Sequence, residues 1–265
     1  MARRRADAAL VEAGLFTSRE QAKAAILAGR VTLDGRPLNK AGMDVGDAAG
    51  FEVEPAQEYV SRGGHKLAGA LDEFGFDVEG LRAVDVGAST GGFTDCLLQR
   101  GVVSVTAIDV GYGQLAWKLR CDERVTVLER TNIRAVGGVV QGAPFDLAVI
   151  DVSFIGLAKV LPYVAPLLTP DGEIVALVKP QFEAGKGRVG KKGVVRDEAV
   201  HTDVLRAIDR DASGIGFVVR GMTWSPLVGP EGNIEFWIWL ARHGEAATID
   251  HEALVRAAHQ TLGGR

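Results

Sequence analysis

The sequence predicts an α/β protein in which a small N-terminal α+β domain precedes a doubly wound, mostly parallel sheet. Three observations support this. Between residues 82 and 240 short apolar runs alternate with stretches of helical period. At residues 81–98 the first apolar run passes through a glycine-rich turn straight into a helix. The first 54 residues differ from the rest in both period and charge.

With 265 residues the chain can bury one large core and a small one. Its 47% hydrophobic and 24% charged residues are those of a globular chain, and no run of about 18 apolar residues marks a transmembrane helix. The basic start Met1-Ala2-Arg3-Arg4-Arg5 is interrupted by Asp7 and Glu12 before a signal-peptide core can form. Cys96 and Cys121 lack C-x-x-C spacing and read as small buried hydrophobes; the five histidines are scattered, so no metal site is expected. The expected location is the cytoplasm.

The N-terminal elements follow in order. Ala6 to Ala13 is a short helix closed by Gly14, and Thr17-Ser18-Arg19-Glu20 offers a T-x-x-E capping box for a second helix ending at Gly29. Val31-Thr32-Leu33, Asp34-Gly35 and Arg36-Pro37-Leu38 read as a hairpin with a type I′ turn, and Phe51-Glu52-Val53 as a closing strand. Residues 1–54 are assigned to this domain and 55–62, with Pro55, to a linker.

The net charge of −4 is unevenly spread. Residues 1–40 hold eight Lys or Arg against four Asp or Glu, residues 179–196 hold six against one, and residues 41–58 hold no basic residue. The two basic patches could track a polyanion, although charge runs often merely solvate a face.

In the second domain, placed at 63–245 with a helical tail at 246–265, helix 67–74 is followed by strands at 82–86, 104–108, 125–128, 146–150, 173–178, 216–220 and 234–240. Helices are expected at 93–100, 113–120, 156–167 and 198–211. No helix separates the last two strands, which predicts an antiparallel edge hairpin. The glycines at 87, 91 and 92 give G-x-x-x-G-G, where a dinucleotide fold wants G-x-G-x-x-G, and no Lys follows to make a P-loop. Asp109, closing the next apolar run, stands where a carboxylate accepts bonds from the ribose hydroxyls of an adenosine. A sulfonium nucleoside fits better than NAD.

Asp85-Val86-Gly87-Ala88-Ser89-Thr90-Gly91-Gly92-Phe93-Thr94-Asp95 resembles motif I of Rossmann-like S-adenosylmethionine-dependent methyltransferases. The stretch L-F-T-S-R-E-Q-A-K-A-A-I-L-A-G-R-V-T-L-D-G at 15–35 resembles the S4 RNA-binding domain. Over nearly its whole length the chain resembles the haemolysin A family, which joins an S4 domain to an FtsJ-like ribose 2'-O-methyltransferase domain. The resemblance implies an enzyme that methylates a ribose 2'-hydroxyl, at a cytidine of 16S and/or 23S ribosomal RNA, with S-adenosylmethionine as cofactor and ribosomal RNA or subunits as partner. It implies neither membrane nor metal.

It also implies the site. Lys66, Asp151, Lys179 and Glu235 follow the order of the FtsJ-like K-D-K-E tetrad, with Leu-Val-Lys-Pro-Gln-Phe-Glu intact at 177–183. A 2'-hydroxyl is a poor nucleophile at neutral pH, and a lysine beside other cations has the lowered proton affinity needed to take its proton. Lys179 is given that role; Asp151 orients it, and Lys66 and Glu235 complete the network. For the cofactor, Asp85, Gly87, Ser89, Thr90, Gly91, Gly92, Phe93 and Thr94 form the turn, Asp109 holds the ribose, and Val110 with Gly111-Tyr112-Gly113 flanks the adenine. Asn132 reads equally as an adenine-side contact or a helix N-cap. RNA contacts are expected from Arg3, Arg4, Arg5, Arg19, Lys23 and Arg30, and from Arg62, Lys186, Arg188, Lys191 and Lys192, the last four on a glycine-hinged loop. The other readings are a cytolysin, disfavoured by the lack of membrane-active segments, and a non-catalytic RNA-binding assembly factor, disfavoured by the complete tetrad.

Overall fold

The computed structural model describes residues 4–46, 50–54, 57–137, 140–185 and 187–263. It divides into two compact units, Met1–Glu58 and Tyr59–Arg265.

The first unit contains β1 (Arg4–Arg5), α1 (Ala6–Glu12), α2 (Arg19–Leu27), β2 (Val31–Leu33), β3 (Arg36–Pro37), β4 (Asp44–Val45) and β5 (Phe51–Val53). β1 pairs with β4, a short ladder not expected from the sequence, and β2 is flanked antiparallel by β3 and β5. Ala6, Leu10, Ala22, Ala25, Ile26, Val31 and Leu38 form its core. Asp34 and Gly35 at φ +49° and +73° make the type I′ turn. The expected capping box is displaced by one residue. Ser18, not Thr17, caps α2 by accepting from the Gln21 N–H, and Thr17 Oγ1 instead donates to the Gln21 side chain.

In the second unit α3 (Arg62–Phe74), β6 (Arg82–Val86), α4 (Gly92–Gln99), β7 (Ser104–Ile108), α5 (Trp117–Arg120) and β8 (Val125–Leu128) precede β9 (Phe145–Ile150), α6 (Leu161–Val164) and β10 (Leu168–Val178). α7 (Pro180–Glu183), α8 (Glu198–Gly214), β11 (Val218–Trp224), β12 (Phe236–Ala241) and α9 (His251–Leu262) complete it. Among the described residues the seven-stranded sheet has the order β11-β12-β10-β9-β6-β7-β8. β10, β9, β6, β7 and β8 run parallel, whereas β12 enters antiparallel between β10 and β11. The winding reverses between β6 and β9, which opens a crevice at the carboxyl ends of those strands.

Pleat alternation separates two apolar layers. Val84, Val86, Ala148, Ile150, Ala176 and Ile238 face one layer with α8 and α9; Ala83, Leu147, Val149, Leu177 and Trp237 face the other with α3 and α4.

Several expected boundaries move. The helix expected at 113–120 shrinks to α5, because Gly113, at φ +72°, turns its N–H onto Glu129. The helix expected at 156–167 breaks into single turns at Pro162 and Pro166, which cannot donate. The linker expected at 55–62 is shorter: Tyr59 is buried, the Val60 N–H donates to Asp95, and Ser61 caps α3, so these residues belong to the second unit. The C-terminal tail is core structure, with Val255, Ala258 and Leu262 of α9 buried in the α8 layer. Val255→Asp, at a position 1% exposed, is expected to lower the unfolding free energy by about 3 kcal/mol in urea titrations, as an unpaired carboxylate in an apolar layer does.

Candidate active site

Of four neighbouring parallel strands, three end in line and β10, whose Ala176 pairs with Ile150, runs two residues further; the next residue of each enters the site. Val86, Ile108, Ile150 and Val178 close β6, β7, β9 and β10; Gly87, Asp109, Asp151 and Lys179 follow them. Glu235 precedes antiparallel β12, whose first residue, Phe236, pairs with Val178, so it reaches the same edge. Lys66 comes from α3.

The turn after β6 is held by backbone. Gly87, at φ +91°, and Ala88 both donate to the Ile108 carbonyl, and a Cβ on Gly87 would lie 2.4 Å from the Asp151 carbonyl oxygen. No residue with a side chain fits there. Gly92 starts α4 against the start of α3, where a Cβ would meet Ser61 Oγ at 2.2 Å.

Beyond this turn lies a cavity of 490 Å³ lined by Gly87, Ser89, Asp109, Val110, Asn132 and Phe154, among others. The Asp109 carboxylate is oriented by two backbone donors, the Ser89 N–H at 2.8 Å and the Gly111 N–H at 2.6 Å. Asn132 caps the turn Ile133–Ala135 by accepting from the Arg134 N–H, and it also lines the cavity. Tyr112 is exposed, with the Arg130 guanidinium 4.1 Å from its ring centre. Volume, a fixed carboxylate and a glycine cradle together fit a nucleoside cofactor.

Not every expected cofactor residue reaches the cavity. Asp85 is fully buried and accepts from the Thr94 N–H and Oγ1 at 3.0 and 2.7 Å. It therefore braces the turn from behind, as does Thr94, because position 85 shares the pleat face of Ala83, toward α4. Gly91 is likewise not at the cavity wall; the space beside it is filled by Leu115 and Leu119. Burial pushes the Asp85 carboxyl up to about 7, with Asp151 and Asp109 adding to the effect and the Thr94 hydrogen bonds opposing it.

A second pocket of 300 Å³ adjoins the first, and Gly87, Ser89 and Asp151 line both. Its wall brings together Lys66, Asp151, Lys179 and Glu235, with Thr90, Gly92 and Phe93 from the turn. The four charges form two ion pairs: Lys66 Nζ lies 2.5 Å from Glu235 Oε2, and Lys179 Nζ lies 2.5 Å from Asp151 Oδ1. Lys179 also donates to Ser153 Oγ at 3.0 Å. The neighbours expected for Lys179 were cations; its contacts are a carboxylate and a hydroxyl. Glu235 is fully buried beside Gly229, where a Cβ would fall 2.1 Å from its Oε1.

Two functional candidates were not assigned from sequence. Ser153 and Phe154 follow Asp151, and the Asp-Val-Ser-Phe run after a strand end was the available signal. Phe154 is 90% exposed with φ +66°, and its ring centre lies 5.0 Å from that of Phe182. An aromatic face held open at a crevice is suited to stacking.

Of the residues expected to contact RNA, Arg3 and Lys186 lie outside the described residues. Arg5 and Arg19 both pair with buried Asp7 at 2.9 and 3.1 Å, which holds its carboxyl well below the usual range, chiefly through the Arg5 hydrogen bond. Arg4 pairs with Glu12, and Arg30 donates to the Glu54 carbonyl. These arginines thus shape their unit as well as charging its surface, while Lys23 is exposed. In the other unit Arg62 donates to the Val228 carbonyl and Arg188 pairs with Asp203, whereas Lys191 and Lys192 are exposed.

The FtsJ-like methyltransferase family matches residues 59–242, and the S4 domain family matches residues 4–48. The 16S/23S rRNA (cytidine-2'-O)-methyltransferase TlyA of Mycobacterium tuberculosis is 48% identical over 99% of this chain and 98% of its own. Hemolysin A of Brachyspira hyodysenteriae is 39% identical over 84% of this chain and 93% of its own. A solved structure from Streptococcus thermophilus that carries a hemolysin name is 40% identical, with a TM-score of 0.76 over 100% of this chain and 98% of that one.

Asp85 yields a pH prediction. The unfolded carboxyl ionises near 3.8 and the folded one near 7. Between those values the folded state holds the extra proton, so this contribution to stability is complete below pH 3.8 and is lost as pH rises through 7. In Asp85→Asn that component is expected to be absent. The stability difference between wild type and variant, followed from pH 4 to 8 by thermal unfolding, should therefore change sharply across the window; a flat difference refutes the assignment.

Proposed function

The chain belongs to the FtsJ-like methyltransferase family, in the form that carries an N-terminal S4 domain, and from that premise we propose that it methylates a ribose 2'-hydroxyl of ribosomal RNA. The convergence of Lys66, Asp151, Lys179 and Glu235 on one pocket beside a nucleoside-sized cavity is the observation that carries this reading.

The 490 Å³ cavity would hold S-adenosylmethionine, with Asp109 taking the ribose hydroxyls, Gly87 and Ser89 facing the methionine end, and Val110 and Asn132 beside the adenine. When bound, this cofactor supplies an electrophilic methyl group on a sulfonium. The acceptor ribose would occupy the 300 Å³ pocket, and Gly87, Ser89 and Asp151, which line both spaces, would align its hydroxyl toward the cofactor. Lys179 Nζ is the group placed to take the hydroxyl proton, with Asp151 and Ser153 holding it in position. The buried Lys66–Glu235 pair is a fixed wall that positions the ribose. Phe154, in the wall of the 490 Å³ cavity, offers an exposed aromatic face for stacking.

Cytidine in 16S or 23S RNA is the target named for the M. tuberculosis relative, and we extend it to this chain, which places its work on ribosomal subunits in the cytoplasm. The S4 unit supplies sequence-independent grip through its basic surface, and Arg62 with the loop around Arg188, Lys191 and Lys192 adds phosphate contacts in the catalytic unit. The hemolysin name belongs to the B. hyodysenteriae relative. Among the described residues no helix is long and apolar enough to cross a membrane.

Wild-type protein given labelled S-adenosylmethionine and ribosomal subunits is expected to label ribose 2'-oxygens; no transfer to either subunit, with cofactor bound, overturns the reading. Lys179→Ala should abolish transfer and leave cofactor affinity within about twofold, and Lys179→Arg should not rescue it, because a guanidinium does not deprotonate. Lys23→Ala is expected to weaken subunit binding and lower its salt slope by about one, as removal of a single phosphate contact does.

A further inference from the structure

Asn233 is 3% exposed, and its side chain ties together two segments that the reaction would use separately. Its Oδ1 accepts from the Val195 N–H at 3.1 Å. Its Nδ2 donates to the carbonyls of Gly193 and Pro230, each at 3.1 Å. The Gly229 N–H closes the arrangement on the Asn233 carbonyl at 2.8 Å. On one side lies the basic loop 187–196; on the other lie Gly229 and Pro230, in the pocket wall against Glu235. That wall is in direct contact with the carboxylate, since a Cβ on Gly229 would fall 2.1 Å from Glu235 Oε1, so a shift of the wall shifts Glu235.

The loop is a built feature. Val194 and Val195 are buried, the Gly190 N–H donates to the Val194 carbonyl at 2.9 Å, and Lys192 is held at φ +63°. Arg188, Lys191, Lys192 and Arg196 line a recess of 460 Å³. Arg188 is committed to Asp203, but among the described residues no carboxylate pairs with Lys191, Lys192 or Arg196. Asp197 lines the same recess and also caps α8, accepting from the Ala199 N–H. Lys191, Lys192 and Arg196 against the single carboxylate of Asp197 leave a positive surplus on one short loop, which fits phosphodiester oxygens.

We propose that Asn233 is a positioning residue that couples capture of an RNA phosphate by Lys191, Lys192 and Arg196 to the placement of Glu235, and through it of Lys66. The inference rests on the ribose methyltransferase reading above. A phosphate in the recess offsets the mutual repulsion of the three cations and fixes Gly193 and Val195. Through Asn233 it therefore also fixes the Gly229-Pro230 wall that sets the buried Glu235 carboxylate.

The test is a kinetic cycle on ribosomal subunits. Lys191→Ala/Lys192→Ala/Arg196→Ala alters exposed side chains only, and it is expected to lower both subunit affinity and the kcat measured at saturating subunit. Asn233→Asp keeps the acceptor for Val195 but loses the donor to Gly193 and Pro230; it should lower kcat about tenfold while cofactor and subunit affinities stay within about twofold. Combined with Asn233→Asp, the loop substitutions should lower affinity as before and cost little further kcat, because the route to Glu235 is already cut. A loop variant with wild-type kcat at saturation overturns the coupling without reference to Asn233. So does wild-type kcat in Asn233→Asp, or kcat losses that simply add. Failure of the wild-type protein to methylate ribose at all would instead count against the underlying reading.

Discussion

The parallel pairing of β6 with β9 brings Gly87 and Asp151 into backbone contact, and the rest of the site is arranged around that contact. In register, Val86 lies beside Ile150, so the chain leaves both strands at the same level. One strand must then turn away without a side chain, which Gly87 does, and the other sends a carboxylate forward, which Asp151 does. Had the winding not reversed between these two strands, a crossover segment would cover their ends and no crevice would open. β7 ends level with them and presents Asp109 on one side, while β10 runs two residues further and presents Lys179 on the other.

Charge is handled differently at each depth. At the crevice floor Lys66 and Glu235 are buried as a matched pair, an arrangement that rarely adds net stability but leaves a severe penalty if one partner is lost. Toward solvent, Lys179 and Asp151 keep a hydroxyl, Ser153, as a third partner. Behind the glycine turn Asp85 is held closer to neutrality, so the region between β6, β7 and β9 does not carry three full carboxylate charges. Rigid pairs at the bottom and a more accessible pair at the mouth suit a site that must grip a ribose and still exchange a proton.

Much of this was legible in the residues. The change of period across 85–95 and the antiparallel final hairpin depend on local pattern, which a chain displays openly, whereas Lys66, Asp151, Lys179 and Glu235 were picked out by the family resemblance. What escaped depends on facing and on distant partners. Asp85 reads as a ligand until the pleat is followed, which sets it with Ala83 toward α4 and away from the cavity. The insertion of β12 between β10 and β11 is a matter of topology that no local period encodes. The ion pairs of Arg5 and Arg19 require Asp7 to be buried between two elements, and Asn233 joins segments some forty positions apart. Prolines 162 and 166 were visible in the expected helix 156–167, and the strength with which they break it was underweighted.

The wall shared by the two cavities also has a thermodynamic side. Gly87, Ser89 and Asp151 face both spaces, so a displacement that a ligand in one space imposes on them alters the shape offered to a ligand in the other. Linkage is reciprocal: the factor by which cofactor changes the affinity for RNA equals the factor by which RNA changes the affinity for cofactor. The spent cofactor lacks the methyl group and the positive charge, and therefore meets this wall with a different coupling energy.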